Sequence, residues 1–165
     1  MKFVLIDRIT ALEPGRRLVA TKALTLAEEY LADHFPTFPV MPGVMMLEAM
    51  VQSAAWLVRA TMDFSASLVT LEEAKNVTYK SFVAPGRTLE LRIDAVRIEP
   101  RGSEFRGVGV CGEREMVKAQ MRLRHANLAD RDPSLAELDR TLVQQARRLF
   151  SLLGGATFVP AAAGV

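Results

Sequence analysis

Residues 44 to 58, VMMLEAMVQSAAWLV, carry one charged side chain, Glu48. That run constrains the fold more than any other part of the chain. Its length suits a helix, and Pro42 and Gly43 stand where a helix start accepts them. A helix this apolar has to be covered on nearly every side, so the remaining segments must supply the cover. The fifteen residues are too few to cross a bilayer, and Glu48 and Gln52 interrupt them. A buried core helix follows, with no membrane insertion.

The rest of the chain reads mainly as strands. Residues 2 to 12 and 16 to 24 are two β-rich runs around the turn Glu13-Pro14-Gly15, which predicts a hairpin. Residues 33 to 43 hold Pro36, Pro39, Pro42 and Gly43, too many fixed φ angles and missing donors for helix or central strand, so an ordered loop is expected. Further strands are expected at Ala74 to Ala84, Arg87 to Glu99, Glu104 to Gly112 and Met116 to Arg124. In two of them Leu89, Leu91 and Ile93, and Val117, Ala119, Met121 and Leu123, alternate with polar residues. One buried helix with a run of antiparallel strands is an α+β layout in which the sheet curls around the helix, as in the hot-dog fold. Pro133-Ser134 ahead of Glu137 reads as a capping box. Leu135, Leu138, Leu142, Ala146, Leu149 and Leu153 then repeat at helical spacing, which predicts an extra C-terminal amphipathic helix ending at Gly154-Gly155. Residues 1–127 are expected to form the hot-dog domain, and 128–165 a helical extension packed on it.

Several function classes are disfavoured. Twenty-one Lys and Arg face 19 Asp and Glu without a basic run, so nucleic acid is not implied. The single cysteine, Cys111, allows no internal disulfide and no Cys-based metal centre, and it reads as a small strand residue. Charges at Lys2, Asp7 and Arg8 break any signal-peptide core, so a cytoplasmic location is expected.

Only two histidines exist, His34 and His125. His34 sits in the proline-stiffened loop that feeds directly into the helix bearing Glu48, a setting that can hold an imidazole in one orientation. Glu48 is the one carboxylate in an apolar run, where burial carries a desolvation cost and favours its protonated form. Gln52 lies one turn further on and can hydrogen-bond that carboxyl or a ligand. Gly43 offers a helix-start N–H with no side chain in the way of a thioester oxygen. From the residues alone each has a plainer alternative: His34 as a structural loop residue, Glu48 paired with an arginine across an interface, and Pro42-Gly43 as a turn into the helix.

The segment HFPTFPVMPGVMMLEAMVQSAAWL, residues 34 to 57, closely resembles the active-site segment of bacterial 3-hydroxyacyl-[acyl-carrier-protein] dehydratases, with H-F-P-x-x-P, P-G-V and L-E-A-M-x-Q. The 14-residue step from His34 to Glu48 is that family's spacing for its catalytic pair. FVLIDRI, EPGR and NVTYKSFVAPGRTLEL extend the similarity. Glu rather than Asp on the helix resembles the general dehydratase branch.

The resemblance implies His34 as the base on the C2 proton, Glu48 as the acid on the 3-hydroxyl and the Gly43 N–H on the thioester carbonyl. It implies no metal and no organic cofactor, the substrate arriving on the phosphopantetheine of acyl carrier protein. Lys75, Lys80 and Arg101 are candidates for meeting that partner's acidic surface. It also implies a homodimer, or a trimer of dimers, in which each site joins His34 of one protomer to Glu48 of the other. Three features depart from the family pattern: Thr37 in place of the usual Gly, a start at Met1-Lys2-Phe3 without the usual preceding segment, and the helix beyond residue 134. Two other readings stand beside this one, a hot-dog acyl thioesterase and a non-catalytic acyl-binding or partner subunit.

Overall fold

The computed structural model describes residues 3–35 and 37–159; the start of the first β-rich run at Lys2, Pro36 of the loop and the tail from 160 onward lie outside the described residues. Period-two alternation builds one six-stranded sheet. Its strands are β1 (Arg8–Glu13), β2 (Arg17–Ala23), β3 (Leu68–Tyr79), β4 (Thr88–Glu99), β5 (Gly102–Cys111) and β6 (Arg114–Ala126). Neighbours are antiparallel in the order β1-β2-β4-β5-β6-β3, which leaves β1 and β3 as edges.

Leu18, Leu89, Leu91, Ile93, Phe105, Val117 and Leu123 turn inward onto α1 (Gly43–Thr61), which packs against β2 through β6. Gly107 on β5 makes the closest approach possible, since a Cβ there would stand 2.9 Å from the Met50 sulfur. This is the expected hot-dog arrangement of sheet and helix.

Three expectations need correction. First, α1 is not buried almost all round: Met46, Ala49, Met50 and Leu57 are buried, but Val44 is 68 % exposed and Glu48 is exposed. The sheet covers one face of the helix. The other face is met at Gln52 by the Phe3–Leu5 segment and towards its end by α2 (Ala136–Leu152), whose Phe150 ring lies 5.8 Å from Trp56 and 5.4 Å from Phe64. The first two turns receive no such cover.

Second, the strand expected at Ala74 to Ala84 starts six residues earlier and ends at Tyr79, because Leu68 to Leu71 pair with Leu123 to Ala126 of β6. Register shifts after Leu71 and Lys75, and Asn76 at φ 52°, interrupt the alternation on which the sequence reading relied.

Third, the capping box at Ser134 does not form. Asp132 instead accepts from the Ser134 N–H and hydroxyl at the head of a 3-10 turn, Pro133–Leu135, and α2 begins after it. Asp139, buried on α2, accepts from the Leu128 and Ala129 N–H groups and the Ser67 hydroxyl, which ties the helix to the end of β6 and the start of β3.

His125, on β6, is also buried. One ring nitrogen meets the Ser103 hydroxyl at 3.1 Å, and Nδ1 has no hydrogen-bond partner among the described residues. Burial holds the imidazole below its usual range; the Pro100 and Glu99 backbone opposes this in part, and the Arg59 charge reinforces it. The unfolded chain therefore binds a proton near pH 6.5 that the native state refuses. This contribution is intact above that pH and is lost as the pH falls below it towards the folded-state value. The urea midpoint is expected to drop between about pH 7 and about pH 5.5, with a smaller drop in His125→Gln. An equal drop in both proteins would assign the loss to other groups.

Candidate functional site

The His34 loop is fixed at both ends. At its entry Lys22, buried on β2, binds Glu28 at 2.6 Å and Asp7 at 3.3 Å. Although burial opposes its charge, these two carboxylates hold the Lys22 ammonium above the usual lysine range. A 3-10 turn, Glu29–Leu31, follows, and the His34 N–H donates to the Tyr30 carbonyl. At the exit the Met41 N–H donates to the Val83 carbonyl between β3 and β4.

Between these anchors His34 Nδ1 lies 2.9 Å from the Val40 carbonyl. A carbonyl only accepts, so Nδ1 carries the proton and Nε2 is the basic nitrogen, with no hydrogen bond to any described residue. Phe35 sits against the imidazole edge at 4.4 Å and adopts φ 55°, a conformation that side chains rarely take. The Phe38 N–H donates to the Phe35 carbonyl and closes that turn. Thr37, in the same turn, is exposed.

Glu48 lies on the exposed side of α1, where its Oε1 accepts from Gln52 Nε2 at 3.0 Å. Gln52 itself is locked, since its amide also donates to the Phe3 carbonyl and accepts from the Leu5 N–H. At the helix start, the Met45 and Met46 N–H groups both turn back to the Pro42 carbonyl, which leaves the Gly43 and Val44 N–H groups without an intrahelical partner. The Tyr79 ring lies over Gly43, where a Cβ would meet it at 3.1 Å.

The structure thus brings Glu48 and Gln52 together. It does not join His34 to Glu48 within one chain: no hydrogen bond links them among the described residues. Glu48 instead opens onto a groove of about 610 Å³ between α1, the start of β3 and α2, bordered by Trp56, Arg59 and Leu149. Sequence reasoning missed three elements. Tyr79 was hidden in a strand, and the α2 wall is a tertiary contact. Arg59 directly follows the apolar run of residues 44 to 58, and a lone cation there is a usable signal. Among the described residues, no cluster of three or more His, Cys, Asp or Glu is placed to hold a metal, and no helix is long and apolar enough to cross a membrane.

A six-stranded antiparallel sheet wrapped on one helix defines the hot-dog class. Among solved structures the chain matches the dehydratase heterocomplex ApeI:P from Xenorhabdus doucetiae. The TM-score is 0.65 at 14% identity, over 76% of this chain and 85% of that one. It also matches smu.793 from Streptococcus mutans, bound there to acetyl CoA, with a TM-score of 0.58 at 13% identity over 77% and 94%. At these identities the likeness speaks for the fold.

In sequence, residues 1–120 match the FabA-like domain. Curated relatives include the 3-hydroxyacyl-[acyl-carrier-protein] dehydratase FabZ of Clostridium kluyveri, 31% identical over 72% of this chain and 83% of the relative. The FabZ of an Anaeromyxobacter species is 35% identical over 79% and 83%. This chain belongs to the FabA-like dehydratase family.

Proposed function

We propose that the protein dehydrates (3R)-3-hydroxyacyl chains, carried as thioesters on acyl carrier protein, to the trans-2-enoyl products. The observation that carries this reading is the fixed tautomer of His34, whose unprotonated Nε2 is the base the reaction needs, in a family whose curated relatives are named for this dehydration. His34 Nε2 removes a proton from C2. Protonated Glu48 gives its proton to the 3-hydroxyl, which leaves as water as the C2–C3 double bond forms. The Gly43 N–H, at the positive end of α1, donates to the thioester carbonyl as negative charge builds on it. Proton return from His34 to Glu48 through solvent resets the pair. No metal or organic cofactor takes part.

The active unit is a homodimer in which His34 of one protomer faces Glu48 of its partner. This is supported by the lack of a hydrogen bond between the two residues among the described residues of one chain, by the long β3 edge, and by exposed apolar side chains around the loop and helix start, Phe35, Phe38, Phe82 and Val44. Residues 128–159 act as an extension of the same domain, their Phe150 and Leu153 entering the common core. The protein works in the cytoplasm beside its carrier protein.

The wild-type protein should hydrate a trans-2-enoyl thioester, read as loss of the conjugated enoyl absorbance, without releasing thiol to Ellman's reagent. A folded dimer that leaves the enoyl thioester untouched would sink the proposal, and thiol release would favour a thioesterase.

A further inference from the structure

The groove that begins at Glu48 is chemically polarised. Its lining from α1 is Glu48, Val51, Gln52, Ala55, Trp56 and Arg59, in that order along one helix face, so it runs from the reacting end to a cation. Glu48 is the only acid among the lining residues, whereas Arg59 and, from α2, Arg148 are the two cations there. Neither arginine has a carboxylate partner among the described residues.

Arg59 is the more constrained of the two. Its Nε is buried with no hydrogen-bond partner among the described residues, and its guanidinium lies 5.1 Å from the centre of the Trp56 ring. Burial lowers its pKa to about 10, which still leaves a cation at neutral pH. A desolvated cation facing an apolar groove is costly unless an anion or acceptor meets it.

The far wall lies outside the residues matched by the family. Leu142, Ala146 and Leu149 of α2 close the groove opposite Trp56, and α2 lies beyond residue 120, where the family match ends. Eleven residues separate Glu48 from Arg59, about 16 Å along a helix. An extended chain advances about 1.2 Å per bond, so the span corresponds to about a dozen bonds.

We infer that this groove selects 3-hydroxyacyl chains whose far end carries an anionic group such as a carboxylate, with Arg59 as the residue that recognises it. The inference rests on the dehydratase reading for what happens at the Glu48 end. Recognition at the Arg59 end has its own readout, because Trp56 is the only tryptophan of the chain and lines the groove.

The test compares two trans-2-enoyl pantetheine thioesters of equal length, one ending in a methyl group and one in a carboxylate, on the wild type and on Arg59→Met. Hydration gives kcat/KM, Trp56 fluorescence gives binding, and light scattering gives the oligomeric state. The wild type should favour the carboxylate-ended chain by about tenfold or more. Arg59→Met should lose that preference while its rate on the methyl-ended chain stays within about threefold of wild type. One charge-assisted hydrogen bond is of the size that produces such a ratio.

Hydration of both chains without preference would overturn this inference and leave the dehydratase reading intact. Absent hydration with discriminating Trp56 binding would do the reverse. If Arg59→Met shifts the dimer towards monomer and not the chain-end preference, the cation belongs to a subunit contact and the inference fails.

Discussion

Replacing His34 with alanine or Glu48 with glutamine is expected to lower the dehydration rate about 10²- to 10⁴-fold in each case, the usual contribution of one positioned proton transfer. The two changes remove different halves of the chemistry. Without the imidazole nothing takes the C2 proton; without the carboxyl nothing protonates the leaving hydroxyl. Glu48→Gln is the cleaner probe of structure, because the new amide still offers an oxygen to Gln52 Nε2, and Glu48 is exposed in the single chain. Its thermal midpoint should match the wild type. His34→Ala releases the Val40 carbonyl from its partner, so some loosening of the loop is expected alongside the lost base. Steady-state kinetics on a carrier-linked 3-hydroxyacyl substrate, with circular dichroism on the same samples, separates these effects. A rate within about tenfold of wild type in either variant would remove that residue from the chemistry.

The second large effect is recovery of activity by mixing the two dead proteins. If every site takes His34 from one protomer and Glu48 from the other, a heterodimer of His34→Ala and Glu48→Gln chains has one site with both side chains intact and one with neither. Random exchange between equal amounts makes half the dimers hybrid, so activity should rise to about a quarter of wild type, set by the two-fold symmetry. Relative to the separate variants that is a gain of about 25-fold or more. The chains must be exchanged by mild denaturation or co-expression, since a stable dimer does not trade subunits on mixing. No recovery from a preparation shown by mass spectrometry to contain hybrids would place both residues of each site in one chain.

The pair was legible in the sequence for unequal reasons. Glu48 stood out as the one charge in an apolar helix, yet its expected burial is not what a single chain provides, since the sheet covers only one face of α1. His34 drew attention through the prolines around it and its 14-residue distance from Glu48. The hydrogen bond that makes its Nε2 the basic nitrogen comes from Val40, which carries no signal in a sequence because every residue has a carbonyl. The β4 and β6 alternation was readable because those strands are paired on both sides with one buried face. The start of β3 was not, because pairing to β6 makes a strand of Leu68 to Leu71, whose side chains do not alternate between buried and exposed.

Local chemistry therefore determined what lies within a few residues of itself: the apolar helix, the stiff loop before it, the turns, the wet and dry faces of β4 and β6, and the polar side chains set into that helix. Their periodicity and missing donors act over distances of one or two turns. Only the tertiary structure decided that α2 folds back onto Trp56, that Arg59 ends a groove beginning at Glu48, and that His34 and Glu48 stay unjoined within one chain. Those outcomes depend on which surfaces of distant segments bury each other, and a residue's type states that it will be buried without stating against what.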